Sequence, residues 1–259
     1  MNEIIEQAAD QLFQAESRHE ACGPVRDMIG ATDLELAYAV QEVITKRKIA
    51  NGEIVAGHKI GLTSLAVQKQ IGVDQPDFGV LYKSSELLSG DSISMNQLMQ
   101  PRIETEIAFI LKKPIPPRAA FDVVAAAIDY GVCSLEIAGS RIAGWDIRIA
   151  DTVADNASAS HYVLGKEQVP VGKIDLEGCA MRMWINGEVR SEGVGSACLG
   201  NPLNAVLWLS DTLHQFGTPL EPGHVVLSGA LGPMVAVNPG DHIYAEITGL
   251  GSCEITIEA

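Results

Sequence analysis

One segment concentrates the chemistry of this chain: Arg102-Ile103-Glu104-Thr105-Glu106-Ile107-Ala108-Phe109-Ile110-Leu111. Read as a strand, its period of two places Arg102, Glu104, Glu106, Ala108 and Ile110 on one face. Ile103, Thr105, Ile107, Phe109 and Leu111 take the other. So apolar a strand is expected to be covered on both sides, which stands two carboxylates side by side in a buried layer. There they repel, and each unpaired charge is costly. Arg102 can pair with Glu104 but leaves Glu106 uncompensated. A divalent cation would satisfy both, and an all-oxygen donor set suits Mg²⁺ or Mn²⁺ better than zinc. The same pattern also fits a solvated edge strand, an Arg102–Glu104 pair or one protonated glutamate. Glu136, in the mostly apolar stretch Tyr130-Gly131-Val132-Cys133-Ser134-Leu135-Glu136-Ile137-Ala138, is a candidate third carboxylate, or else a surface charge paired with Arg141.

These groups need elements to hold them. Residues 4–21 carry Ile5, Ala8, Leu12 and Ala15 at helical spacing. A second helix opens at the capping box Thr32-Asp33-Leu34-Glu35 and closes before Asn51-Gly52. A third, over 119–129, follows Pro114, Pro116 and Pro117. A fourth has Asn201 as N-cap, Pro202 at the first helical position and a stop at Gly217. A short strand over 54–56 leads into a loop, Gly57-His58-Lys59-Ile60-Gly61-Leu62-Thr63-Ser64. Further strands read over 103–111, 181–185, 224–227, 243–247 and 253–257, punctuated by Asn186-Gly187 and Pro239-Gly240-Asp241. A strand through Glu136, following the third helix, can return beside 103–111. Helices early and strands late favour α+β over alternating βαβ. With no linker in view, residues 1–259 read as a single compact unit, mainly helical over 1–80 and β-rich, with the metal and catalytic groups, over 81–259.

Composition bounds the function. Of 259 residues, Lys+Arg number 18 and Asp+Glu 33, so the net charge is 18 − 33 = −15. That balance argues against nucleic acid and against anionic membranes as partners. An anionic small molecule is compatible only where local positive charge, such as a metal ion, offsets the field. The five cysteines, Cys22, Cys133, Cys179, Cys198 and Cys253, are scattered and form no C-x-x-C pair, which points to a reducing cytoplasm. Neither a signal peptide nor a membrane-spanning run is read in the sequence.

Several segments together carry a resemblance. They are Gly57 to Ser64, Gly72-Val73-Asp74-Gln75-Pro76-Asp77-Phe78-Gly79, the Arg-Ile-Glu-x-Glu run at 102–106, Val153-Ala154-Asp155-Asn156-Ala157-Ser158, and Ser228-Gly229-Ala230-Leu231-Gly232-Pro233-Met234-Val235-Ala236-Val237. In order and over nearly the whole chain, they resemble the 2-keto-4-pentenoate (2-hydroxypenta-2,4-dienoate) hydratases. These group with the 4-oxalocrotonate decarboxylases and, more distantly, the fumarylacetoacetate hydrolases. The resemblance implies a mixed β-sheet roll or sandwich with flanking helices, and a metal-dependent lyase of aromatic meta-cleavage catabolism.

Carried over residue by residue, it implies Glu104, Glu106 and Glu136 as ligands of Mg²⁺ or Mn²⁺. It implies Lys59 and Asp77 as proton-handling groups, and Ser158 and Leu231 at the substrate pocket. Glu136, where the hydrolase branch usually has Asp, points to the hydratase and decarboxylase branch. The Ser228–Met234 loop looks more like the hydratases. The implied substrate is a small anionic 2-hydroxydienoate or its 2-oxo tautomer. The resemblance further implies a homo-oligomer that associates with neighbouring pathway enzymes. A decarboxylase of 2-oxo-3-hexenedioate and a catalytically silent partner subunit are the alternatives.

Read without the resemblance, the same residues have plainer uses. Lys59 could be a solvated loop charge, Asp77 a turn cap, and Asp155, Asn156 and Ser158 a capped loop. Arg141 and Arg148 fit either structural ion pairs or a substrate carboxylate. Asp77-Phe78-Gly79 lacks the other kinase motifs, and Gly193-Val194-Gly195-Ser196-Ala197-Cys198 misses the last glycine of a dinucleotide fingerprint. The six histidines show no metal-ligand spacing.

Overall fold

A computed structural model describes residues 2–64, 68, 73 and 75–259. Gly72 and Asp74 of the motif above lie outside the described residues. Helices α1 (Asn2–Arg18), α2 (Arg26–Ile29) and α3 (Leu34–Ala50) precede strands β1 (Val55–Gly61), β2 (Asp77–Tyr82), β3 (Glu86–Leu88) and β4 (Ser92–Ser94). The long strands β5 (Arg102–Leu111) and β6 (Ile128–Ala138) enclose helix α4 (Phe121–Ala127). Then come α5 (Ile149–Ala154), β7 (Ala159–Leu164), β8 (Ala180–Ile185) and β9 (Glu188–Val194). Helix α6 (Pro202–Phe216) leads to β10 (Val225–Leu227), β11 (Val235–Ala236), β12 (His242–Ile247) and β13 (Gly251–Glu258).

The strands form two sheets. One is eight-stranded with the path β2-β1-β10-β5-β6-β7-β3 and β11 paired to β5; the other is five-stranded, in the order β4-β13-β12-β8-β9. Odd-numbered residues of β5 (Ile103, Ile107, Phe109, Leu111) pack into one core with Met181, Met183, Ile243, Ala245 and Ile255 of the smaller sheet. The predicted alternation is therefore realised: the apolar face of β5 is the inter-sheet core, and its Glu104–Glu106 face is the other side of the large sheet. Helix α6 joins the inter-sheet core through Leu203, Val206, Leu209 and Leu213. The N-terminal helices make a separate core, where Ala8, Leu12, Val40 and Ile44 meet Ile142, Ala150 and Val153. Gln41 of α3 ties that layer to the sheet, donating to Phe78 O at 3.0 Å and Val153 O at 2.9 Å. Among the described residues no helix is long and apolar enough to cross a membrane.

Several predicted boundaries move. The second helix is capped by Asp33, whose Oδ1 accepts from Leu36 N at 3.0 Å, rather than by Thr32. The third helix ends at Ala127, because Ile128 already belongs to β6 and pairs with Leu111. The loop expected over 57–64 is largely strand β1, held between β2 and β10. Helices α2 and α5, of 4 and 6 residues, are too short to show a period in sequence. Helix α6 starts and stops as read: Asn201 Oδ1 accepts from Leu203 N at 2.9 Å, and Gly217 adopts φ 72°.

Candidate metal centre and active site

Strand register assembles the carboxylates. In the antiparallel β5–β6 pair Glu104 lies directly opposite Glu136, and Glu106 opposite Ser134. Glu104, Glu106 and Glu136 therefore share one face, with one carboxylate oxygen of each within 4.8 Å of the others. Glu106 and Glu136 are fully buried, while Glu104 reaches a cavity of about 770 Å³. Gly229 N donates to Glu106 Oε2 at 2.7 Å. Neither oxygen of Glu136 has a hydrogen-bond partner among the described residues. The strands bring three acids together and supply too few donors for them.

Lys59 and Asp77 stand on the same face. On β1 and β2, Lys59 pairs with Gly79 and Gly61 with Asp77, so these four share the side opposite to His58, Phe78 and Val80. Lys59 Nζ lies 3.0 Å from Glu136 Oε1, an ion pair without hydrogen-bond angles, and donates to Ala157 O at 3.0 Å. Asp77 Oδ1 is buried and has no partner among the described residues. Gly61 makes room for both: a Cβ there would stand 2.2 Å from Asp77 Oδ1 and 3.5 Å from Lys59 Nζ. Lys59 is thus a buried strand residue, not a solvated loop charge, and Asp77 opens a strand rather than capping a turn.

The electrostatics follow from four carboxylates around one ammonium. Burial raises Asp77 to about 6, with Lys59 opposing and Glu136 adding to the rise. Burial, then the Glu136 charge, lifts Glu104 to about 7. Glu106 is pushed well above the carboxylate range by burial, Glu136 and Glu104. Burial works against the charge of Lys59, but Glu136, Asp77, Glu104 and Glu106 outweigh it and hold the ammonium charged. A divalent cation fits this excess of negative charge: the donors are all oxygens, within reach of one another, and two of them are orphaned.

The cavity wall explains the other predicted residues. Ser158 lines it, with its Oγ 3.2 Å from Thr152 Oγ1. Leu231 does not; it is fully buried in the inter-sheet core and bonds Thr105 O through its backbone N–H, and Met234 lines the cavity instead. Arg102 stacks over the Trp145 ring at 4.3 Å, and no ion pair joins it to Glu104 among the described residues. Arg141 is committed to Asp155, not Glu136. Arg148 is exposed at the cavity wall, beside Ile147, Ile149 and Thr152. Sequence reading missed Trp145, Thr152 and Met234, which arrive from an irregular turn, the short helix α5 and a loop.

Residues 55–258 match the family model described as fumarylacetoacetate (FAA) hydrolase, C-terminal. The chain belongs to the fumarylacetoacetate hydrolase family. It is 48% identical over 256 residues to a 2-keto-4-pentenoate hydratase of Burkholderia vietnamiensis, covering 98% of this chain and 97% of the relative. It is 49% identical over 249 residues to a "TodF product hydratase" of Pseudomonas putida, covering 96% and 93%. The solved 4-oxalocrotonate decarboxylase of Pseudomonas putida G7, complexed with magnesium and adipate, superposes with a TM-score of 0.95. That pair is 32% identical, over 99% of this chain and 98% of the other. The mixed-sheet fold over 55–258 is that of this family, and the match to the decarboxylase, over 99% of this chain, takes in the helical N-terminal part as well.

Proposed function

We propose that the protein is a hydro-lyase that adds water to 2-hydroxypenta-2,4-dienoate, through its 2-oxo tautomer, to give 4-hydroxy-2-oxopentanoate. The observation that carries the reading is the buried Glu104–Glu106–Glu136 cluster facing a cavity that also holds Lys59 and Asp77. The hydratase relatives, similar over nearly the full chain, support the choice of substrate. Glu104, Glu106 and Glu136 would hold the cation, Mg²⁺ or Mn²⁺. When bound, it would offset the substrate carboxylate and the negative charge that develops on the C2 oxygen.

The chain's own groups move the protons. Ketonisation removes the 2-hydroxyl proton and places one on C5, giving a C3=C4 enone. Water then adds at C4 and a proton is delivered to C3. Lys59, kept charged by its four acidic neighbours, is suited to donate to the oxygen that gains charge and to supply a proton. Asp77, raised to about 6 and free of hydrogen bonds at Oδ1, is suited to take the proton of the attacking water. Ser158 and Thr152 offer hydroxyls on the cavity wall, and Ile147, Ile149 and Met234 offer apolar surface to the hydrocarbon end.

The test is a spectrophotometric assay of purified protein with 2-hydroxypenta-2,4-dienoate in EDTA and then with Mg²⁺ or Mn²⁺ restored. Metal-dependent loss of the dienol absorbance with 4-hydroxy-2-oxopentanoate as product is the expected result. A second reading, decarboxylation of 2-oxo-3-hexenedioate, is favoured by the likeness to the magnesium-bound decarboxylase. Carbon dioxide release from that dioate, with no hydration of the dienoate, would select it.

A further inference from the structure

The turn facing Lys59 runs against the preference of the backbone. Asn156, Ala157 and Ser158 are three consecutive non-glycine residues with positive φ, 55°, 49° and 56°. L residues enter this region singly and at a cost, and persist there only when their surroundings impose it. No glycine occurs between 145 and 164 to ease the path.

The surroundings do impose it, from two sides. Arg141, itself buried, bonds Asp155 Oδ1 through Nε and donates to Asp155 O from Nη2 and to Ala159 O, 3.0 Å away, from Nη1. It thereby grips the residues just before and just after the left-handed run. On the other side Asn156 acts as a strand partner for Val80, accepting from Val80 N at 2.7 Å and donating to Val80 O at 2.9 Å. Gly79 lets the turn approach, since a Cβ there would stand 2.2 Å from Asn156 O. The outcome is the Ala157 carbonyl set 3.0 Å from Lys59 Nζ, and Ser158 placed on the cavity wall.

We infer that the 155–159 turn, clamped by Arg141 and Asn156, is a positioning device that aims the Lys59 ammonium. Asn156, Ala157, Arg141 and Asp155 act through Lys59 and are positioning residues. A glycine would reach the same shape without strain but would also sample others, so strained residues trade stability for a single orientation. The inference rests on the proposed hydratase reading only for its kinetic readout.

The test is Ala157→Gly, with His19→Gly as control; His19 also has positive φ (54°), but is exposed at the end of α1. Both substitutions relieve strain and should raise the thermal midpoint. For Ala157→Gly, kcat on the dienoate should fall about tenfold and KM should change by less than kcat, because the amine loses its fixed bearing while Ser158 and Ala157 are only part of the cavity wall. His19→Gly should keep the kcat of the unaltered enzyme. An unchanged kcat in Ala157→Gly overturns the inference. Acetylation of Lys59 by acetic anhydride, followed by mass spectrometry, reads the same point without substrate. Labelling should quicken several-fold in Ala157→Gly, and equal rates would overturn the inference even where the unaltered protein hydrates no dienoate, an outcome that would defeat the functional reading separately.

Discussion

Two buried ionic clusters sit within a few strands of each other and are built on opposite plans. Around Asp155 the charges balance: one guanidinium meets one carboxylate, and Arg141 and Ser140 donate to its oxygens. Around Glu136 they do not: Glu104, Glu106, Glu136 and Asp77 face a single ammonium, and oxygens of Glu136 and Asp77 have no hydrogen-bond partner among the described residues. Glu106, Glu136, Lys59 and Asp77 are as buried as Arg141 and Asp155, so burial alone does not separate the two clusters. A satisfied cluster holds backbone in place, whereas an unsatisfied one keeps free valence for something that arrives later.

The two clusters should differ most at Glu106. Glu106→Gln should cost about 10³-fold or more in turnover, the loss of several kcal/mol of charge stabilisation by a bound cation. In EDTA its thermal midpoint should equal or exceed that of the unaltered protein, since a buried repelling acid is gone. Asp155→Ala should do the reverse. It strands Arg141 as a buried uncompensated charge, and chemical denaturation should show a loss of about 3–5 kcal/mol. A Glu106→Gln protein that unfolds as readily as Asp155→Ala would erase the distinction.

Smaller effects sharpen it. Asp77→Asn should lower kcat about a hundredfold while divalent-cation affinity, measured by calorimetry, stays within a few-fold. Dependence on pH separates the clusters as well. Asp77 at about 6 and Glu104 at about 7 lie above the unfolded carboxylate values of about 4. Between these limits the metal-free folded protein binds more protons than the unfolded chain, so its stability falls as pH rises from about 4 to about 7. Thermal melts in EDTA should show that slope, and added Mg²⁺ should flatten or invert it, because the cation takes the place of the protons. Activity should decline below about pH 6 as Asp77 takes up its proton. Least of all, breaking the exposed Arg182–Glu192 pair (2.7 Å) by Arg182→Ala should change stability by less than about 1 kcal/mol and leave kcat intact.

Much of the site was legible because it lies on strands whose alternation is written in residue order. Glu104 and Glu106 share a face at any register, and Glu136 needed only a returning strand to meet them. Lys59 was harder. The glycines around it read as loop, and only the pairing of β1 between β2 and β10 shows a buried strand. Leu231 turns into the inter-sheet core while Met234 of the same motif lines the cavity, because a place in a motif does not fix which way a side chain points.

Residue order alone sufficed for the α+β class, the two-faced strand β5 with Glu104 and Glu106 on one side, the limits of α6 and the chain's excess of acid over base. Those are local facts of period, capping and composition. Only the tertiary structure decided that Glu104 stands opposite Glu136, that Asp77 and Lys59 share their side of the sheet, and that Arg141 serves Asp155 instead. Register and strand order join residues dozens of positions apart through hydrogen bonds between backbones, and those groups are the same in every residue but proline. Side-chain order alone therefore leaves such pairings open.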